Sequence, residues 1–469
     1  MAQSLPSLPK GIPSALVMWK DMSPYDARLR AVSPSSPRIL VIGGGVTGLI
    51  TSWALLDKGY HVTILSKEWA SYGREQRLTS QIAGALWEFP PAVCGQHTDA
   101  ISLAHSNRWC MVAYHNWDQM AACPSISSAS GVSMKPADFF FFNSIQENPG
   151  QLTKMEKIMA SGVRGFVHSS HLIKKYHINP QYVVDAYEHL APVIDTDQCM
   201  DWLMKLVQAK GAILVKETLQ GDLLECEEQL RRRFQVDVIL NATGLAGELA
   251  GDTSCYPIRG GLIRVINDGL DFPKVEAALS ISSDAAFSAD AALSADATLS
   301  ADAALSSDAA LSSDAALSSD AVQSEHGFVF LLPRNDNILL IGGIAEPHKW
   351  NLDLTLDSPI IKRMRERCEI FLPSLKSARL DPDYPLAQGL RPFRAKNVRV
   401  ERELRRLGRK PSRIVHSYGQ GGAGWSLCFG CASDALALIE EALLDLEPVP
   451  MASLDSSCPM LSQTMQAHL

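Results

Sequence analysis

A chain of 469 residues, 46% hydrophobic and 20% charged, is long enough for two or more domains with a sizeable core. Its formal net charge of −8 excludes the basic footprint of a nucleic-acid binder, and no apolar run reaches the length that spans a bilayer, so neither nucleic acid nor membrane is expected as a partner. Ten cysteines scattered from Cys94 to Cys458 read as reduced thiols rather than a disulfide framework.

Residues 1–36 are rich in Ser and Pro and lack the apolar stretch of a secretory signal; they read as an N-terminal extension, partly disordered. The next segment is "RILVIGGGVTGLITSWALLDKGYHVTILSKE", residues 38–68. A short β-rich run, glycines 43, 45 and 48 in GxGxxG spacing, and a helical stretch together predict strand, tight turn and helix, with a second strand at His61–Leu65. The first glycine permits the turn, the second lets backbone approach a pyrophosphate, and the third allows close helix packing. The helix N-terminus then offers amides and a positive dipole end to phosphates. At the end of the second strand stand Ser66, Lys67 and Glu68. Lys67 suits a 2′-phosphate and Glu68 suits ribose hydroxyls, so the kind of dinucleotide stays open at this point.

Phe139 to Phe142 read as sheet core. Residues 211–216 and 236–244 read as further strands of the dinucleotide unit, which is therefore interrupted by a long insertion. Asp284 to Asp320 recur every six residues, with Phe287 and five leucines, Leu293 to Leu317, in the same period. Six fits neither the helical nor the strand period, and one weak apolar residue per unit favours a disordered or marginally helical loop grown by duplication. Near the end, "HSYGQGGAGWSLCFGCASDALALIEEALLDL", residues 416–446, is a second glycine-rich loop feeding a helix. Cys428 and Cys431 form the only CxxC, and without a second pair or a nearby His no metal site is expected.

Taken in order, "VIGGGVTGL", "TSQIAGALW" (79–87), "NATGLAG", "CYPIRGGLIRV" (255–265), "LRPFRAKNVRVERE" (390–403) and "HSYGQGGAGWS" resemble the FAD-dependent D-amino-acid oxidase family, in a divergent microbial branch. The resemblance covers roughly residues 38–446. It implies an α/β fold: a Rossmann-type FAD-binding domain from residues 37–95, 190–253 and 395–447, and an α+β substrate domain with a mixed or antiparallel sheet from 96–189 and 254–394. The repeat, 281–324, then falls in the lid region, and 448–469 form a C-terminal tail.

The same resemblance implies FAD contacts from Gly43, Gly45, Val46, Thr47, Gly48, Lys67, Glu68, Thr79, Ser80, Ala85, Leu86 and Thr243, and from the loop Gly421, Gly422, Ala423, Gly424, Trp425 and Ser426. Arg391 would pair with a substrate carboxylate, a task that suits a planar guanidinium, and the Gly422 carbonyl would receive the amine. The implied reaction is oxidative deamination of a D-amino acid or related amino or imino acid, with hydride transfer to the flavin and reoxidation by O2 to give H2O2. Three positions depart from the family pattern. Phe330 stands where a tyrosine hydroxyl would meet the carboxylate, His326 stands near a lid tyrosine, and Gly261 replaces a glutamine. Two other readings therefore stay open: a flavin dehydrogenase or biosynthetic tailoring oxidase acting on a larger amine, and a catalytically silent flavin-binding protein. Ala467-His468-Leu469 fits a peroxisomal address and its import receptor.

Overall fold

The computed structural model describes residues 16–90, 100–180, 183–281 and 328–451. The six-residue repeat after Ile281, His326 and the C-terminal tripeptide lie outside the described residues. Two sheets organise the chain. The first has six strands, β1 (Arg38–Ile42), β2 (His61–Ser66), β6 (Ile213–Lys216), β7 (Val238–Asn241), β14 (Arg399–Arg402) and β15 (Ile414–Tyr418), in the order β14-β15-β7-β1-β2-β6. All pairings are parallel except β14 with β15. This is the Rossmann-type sheet, with strands drawn from three separated stretches of the chain.

The second sheet has nine strands, β3 (Val132–Phe141), β4 (Val167–His168), β5 (Asp185–Ile194), β8 (Cys255–Ile266), β9 (Ala278–Ile281), β10 (Val329–Pro333), β11 (Ile338–Gly342), β12 (Glu346–Pro347) and β13 (Leu386–Arg394). They run in the order β12-β8-β11-β10-β9-β3-β5-β4, with β13 also on β8. The sheet is mixed: β3 and β9 are parallel, and β8, β10, β11 and β13 pair antiparallel. The phenylalanine run ends β3 and alternates across it. Phe139 and Phe141 join one core cluster and Phe140 another, as the two-residue period of a strand requires.

Among the described residues ten α-helices accompany these sheets: α1 (Val46–Asp57), α2 (Thr79–Ile82), α3 (Ala100–Ala122), α4 (Pro124–Ser130), α5 (Pro149–Ala160), α6 (His171–Lys175), α7 (Thr196–Ala209), α8 (Leu223–Phe234), α9 (Pro359–Phe371) and α10 (Gly424–Leu443). Every residue of α1 is buried, and β1 is apolar nearly throughout because both faces of a parallel sheet are covered. By contrast α7 buries one stripe, including Cys199, Met200, Leu203, Leu206 and Val207, and is capped by Asp195, whose side chain accepts from the Asp197 and Gln198 amides. α3 and α10 cross so closely that a Cβ on Gly430 would lie 2.1 Å from Trp109 Cα. Trp117 and Phe429 meet edge to face at the same crossing, 4.8 Å apart.

Residues 16–36 pack against α1. Leu16, Met18 and Met22 are buried, and the Ser23 and Leu29 amides both donate to the Asp57 carboxylate, at 2.7 and 3.1 Å. Asp57 also accepts from Trp53 Nε1 at 2.8 Å and forms an ion pair with Lys210 Nζ at 2.7 Å, with both side chains fully buried.

Candidate active site

A cleft of about 510 Å³ runs from the C-terminal ends of β1, β2 and β7 to the β8–β13 strand pair. At its outer part, Gly43 adopts φ +122°, and a Cβ there would lie 2.2 Å from the Ala242 carbonyl oxygen, so only glycine makes this turn. A Cβ on Gly48 would lie 2.0 Å from the Gly43 carbonyl oxygen. Gly48 is thus the close-packing glycine, and it holds α1 against the turn rather than lining the cleft. Gly48→Ala forces backbone apart at a cost upward of about 2 kcal/mol and is expected to strip the cofactor, seen as a collapse of the flavin-to-protein absorbance ratio. Gly73→Ala, where nothing lies within 4 Å, is expected to keep that ratio.

Two helix N-termini open into the cleft: Val46 and Thr47 of α1, and Gly424 and Trp425 of α10. Neither helix has a side-chain N-cap or an acidic residue in its first turn, so each positive dipole end faces the cleft without a carboxylate of its own first turn against it. That arrangement fits FAD: the α1 N-terminus would hold a pyrophosphate, and the α10 N-terminus would stabilise negative charge on a reduced flavin. Lys67 and Glu68 lie at the exposed end beyond β2. Ser66 Oγ accepts from the Gly44 amide at 3.1 Å, fixing the second strand to the turn.

The four-residue helix α2 forms one wall. A helix this short has little stability of its own, and side chains from elsewhere hold it. The Ser80 hydroxyl accepts from the Val46 amide at 3.1 Å, Trp425 Nε1 donates to the Ser80 carbonyl at 2.9 Å, and the Thr79 hydroxyl donates to the Leu390 carbonyl at 3.1 Å. From behind, Gln81 Nε2 donates to Asp197, which pairs with Arg77, whose guanidinium lies 4.0 Å over the Tyr384 ring. Arg334, almost fully buried, donates to the Ala83 carbonyl at 2.9 Å. Burial pushes its pKa down to about 10, against the opposing pull of Asp195 and Asp197.

At the inner end Arg391 lies on β13 and lines the cleft with Gly260 and Gly261 of β8. Its NH1 donates to the Ile344 carbonyl at 3.1 Å. The neighbouring Arg259 is engaged away from this role, paired with Glu346 at 2.7 Å and Asp353 at 2.5 Å.

The cleft therefore gathers Gly43, Gly45, Val46, Thr47, Lys67, Glu68, Thr79 and Ser80 with Thr243, Arg391, Gly421, Gly422, Gly424 and Trp425. Other residues assigned to the site by resemblance do not line it. The Ala85 carbonyl accepts from the Ile194 amide and Leu86 bridges Val193, so both are spent on fastening the chain to β5. Ala423 is buried beneath the loop, and the Ser426 hydroxyl accepts from the Glu88 amide at 3.4 Å. Phe330 stands one layer back: its ring lies against Gly84, where a Cβ would come within 2.6 Å of it. Gly260 and Gly84 were not singled out from sequence, and Ser66 was named at the end of the second strand without a role. The glycine pair 260–261 was the available signal for the first of them.

The chain matches the model of a family described as DAO, FAD dependent oxidoreductase, over residues 38–296 and 305–438. It is 27% identical over 403 residues to a D-amino-acid oxidase of Streptomyces coelicolor, spanning 85% of this chain and 96% of that one. It is 25% identical over 428 residues to a D-aspartate oxidase of Homo sapiens, spanning 89% and 99%. A glycine oxidase structure from Bacillus cereus shares its fold, with a TM-score of 0.58 at 14% identity over 89% of this chain and 100% of that one. Among the described residues no cluster of His, Cys, Asp and Glu is arranged to hold a metal, and no helix is long and apolar enough to cross a membrane.

Proposed function

We propose, for a chain that belongs to the family of FAD-dependent oxidoreductases and acts on CH–NH2 groups of amino acids, that its substrate is a D-amino acid or a related amino or imino acid, with O2 taking the electrons and H2O2 released. The observation that carries this reading is Arg391 at the inner end of the cleft whose other end is built from two helix N-termini. Bound FAD supplies the two-electron acceptor. The residues supply position. Arg391 holds the substrate carboxylate, the Gly422 carbonyl accepts from the amine, and the α2 wall keeps water from the Cα–H bond that breaks. No side-chain base need take part when the amine enters neutral.

The test is spectroscopic. Purified protein is expected to show a flavin spectrum that bleaches when D-amino acids are added without oxygen and recovers rapidly in air with formation of H2O2. Bleaching with slow recovery in air favours a dehydrogenase, and a flavin that neither D-amino acids nor larger amines can bleach removes the enzymatic reading. A peroxisomal destination has only the C-terminal tripeptide in its favour, and a bacterial relative of high coverage argues against making it part of the proposal.

A further inference from the structure

We infer that Gly260 is a positioning residue for Arg391: the missing side chain on β8 is the space in which the guanidinium lies. The inference rests on the carboxylate-binding reading of Arg391 given above. In the β8–β13 pair Gly389 faces Gly260, and Arg391 faces Ile258. Facing residues and those two further along project from the same side of an antiparallel pair, so Arg391 and Gly260 are diagonal neighbours. Arg391 reaches along that diagonal. A Cβ built on Gly260 would lie 2.7 Å from its NH2, 2.8 Å from Cζ and 2.9 Å from NH1. All three are closer than non-bonded carbon contacts allow, so the whole guanidinium plane, and not one edge of it, occupies the vacancy.

The facing glycine serves a different neighbour. A Cβ on Gly389 would meet Ile82 of α2 at 3.2 Å, and one on Gly261 would meet Ile344 and Ile361, each at 3.2 Å. Only the Gly260 vacancy is filled by the cation. NH1 donates to the Ile344 carbonyl on one side and the bare backbone of Gly260 lies beneath, and both contacts bear on the orientation of the fork. Gly260 has an ordinary backbone conformation, absent from the residues with positive φ. Alanine is therefore tolerated by the strand itself, and the group that must yield is the flexible end of Arg391.

Gly260→Ala is thus expected to keep the fold and the flavin while moving the guanidinium. The experiment uses the D-amino acid that bleaches the flavin fastest and compares wild type, Gly260→Ala, Arg391→Leu and the double variant under anaerobic stopped flow. Displacing a charge-assisted hydrogen bond is expected to raise the half-saturating substrate concentration about ten- to a hundredfold in Gly260→Ala, with flavin content and melting temperature close to wild type. In the double variant, Gly260→Ala is expected to add nothing to Arg391→Leu, because a residue that acts only through Arg391 has no effect once Arg391 is gone.

The outcomes separate the two levels of the argument. If Arg391→Leu binds and bleaches like wild type, the carboxylate clamp itself is wrong. If Arg391→Leu loses binding while Gly260→Ala stays within twofold of wild type, the clamp stands and Gly260 does not position it. An equal effect of Gly260→Ala in both backgrounds also overturns the inference, since it would then act on the cleft and not on the arginine.

Discussion

Arg391→Leu is expected to retain FAD and to lose about 2–5 kcal/mol of binding to carboxylate-bearing substrates, a thirty- to several-thousandfold fall in kcat/KM. At the cofactor end of the cleft the β1–α1 turn, α2 and the α10 N-terminus are joined by the Gly44–Ser66, Val46–Ser80 and Trp425–Ser80 hydrogen bonds, which are made without Arg391. Substrate loses its only cationic partner among the described residues of the inner wall, because Arg259 is committed to Glu346 and Asp353. Leucine fills much of the same volume and removes the charge. Steady-state turnover beside a flavin spectrum reads both halves of this expectation, and an unchanged kcat/KM would refute the role.

Asp57→Ala is expected to be the most damaging substitution for stability, by about 3–5 kcal/mol, because it leaves Lys210 charged and buried with no counter-ion. The carboxylate also accepts from two amides of the N-terminal segment and from Trp53 Nε1, so its loss detaches residues 23–29 from α1 as well. Lys210 also donates to the Ala27 carbonyl at 2.8 Å, and Arg28 donates to the Lys210 and Tyr60 carbonyls; the pair is the staple of this whole segment. Urea unfolding of the holoprotein measures the change. A midpoint shift worth under about 1 kcal/mol would mean that the ion pair contributes little beyond a surface bridge. The double variant Asp57→Leu, Lys210→Met is expected to recover much of the loss, since no buried charge is then left without a partner.

These two expectations differ in how far the sequence could foresee them. Strand, glycine turn and helix at residues 38–57 were legible because an apolar run, three spaced glycines and a helical stretch all indicate the same local geometry. The phenylalanine run was legible as sheet core for the same reason. Residues 16–36 carry no periodic pattern, and what holds them is the burial of Leu16, Met18 and Met22 with hydrogen bonds to groups distant in sequence, Asp57 and Lys210 foremost. An aspartate closing the apolar stretch "SWALLD" was the available sign, and burial alone turns that sign into a structural partner. Gly260 stood in a visible glycine pair, but its meaning depends on the register that sets Gly389 opposite it, and register is a property of two strands. Ala85 and Leu86 were assigned to the cofactor by resemblance, yet their backbone groups are engaged by β5, a contact that no local pattern encodes.

The pairing of β9 with β10 bears on the six-residue repeat. Val329 lies opposite Ile281, so the ends of the connection are joined by sheet hydrogen bonds whatever the number of residues between them. The free energy of joining two chain ends rises only with the logarithm of the intervening length, about 0.6 kcal/mol per doubling. One more "AALSSD" unit added to residues 282–327 then costs on the order of 0.1 kcal/mol. Selection for a folded protein can scarcely see such a change. By this measure the closure of the β9–β10 pair sets no sharp limit on the number of units between its ends.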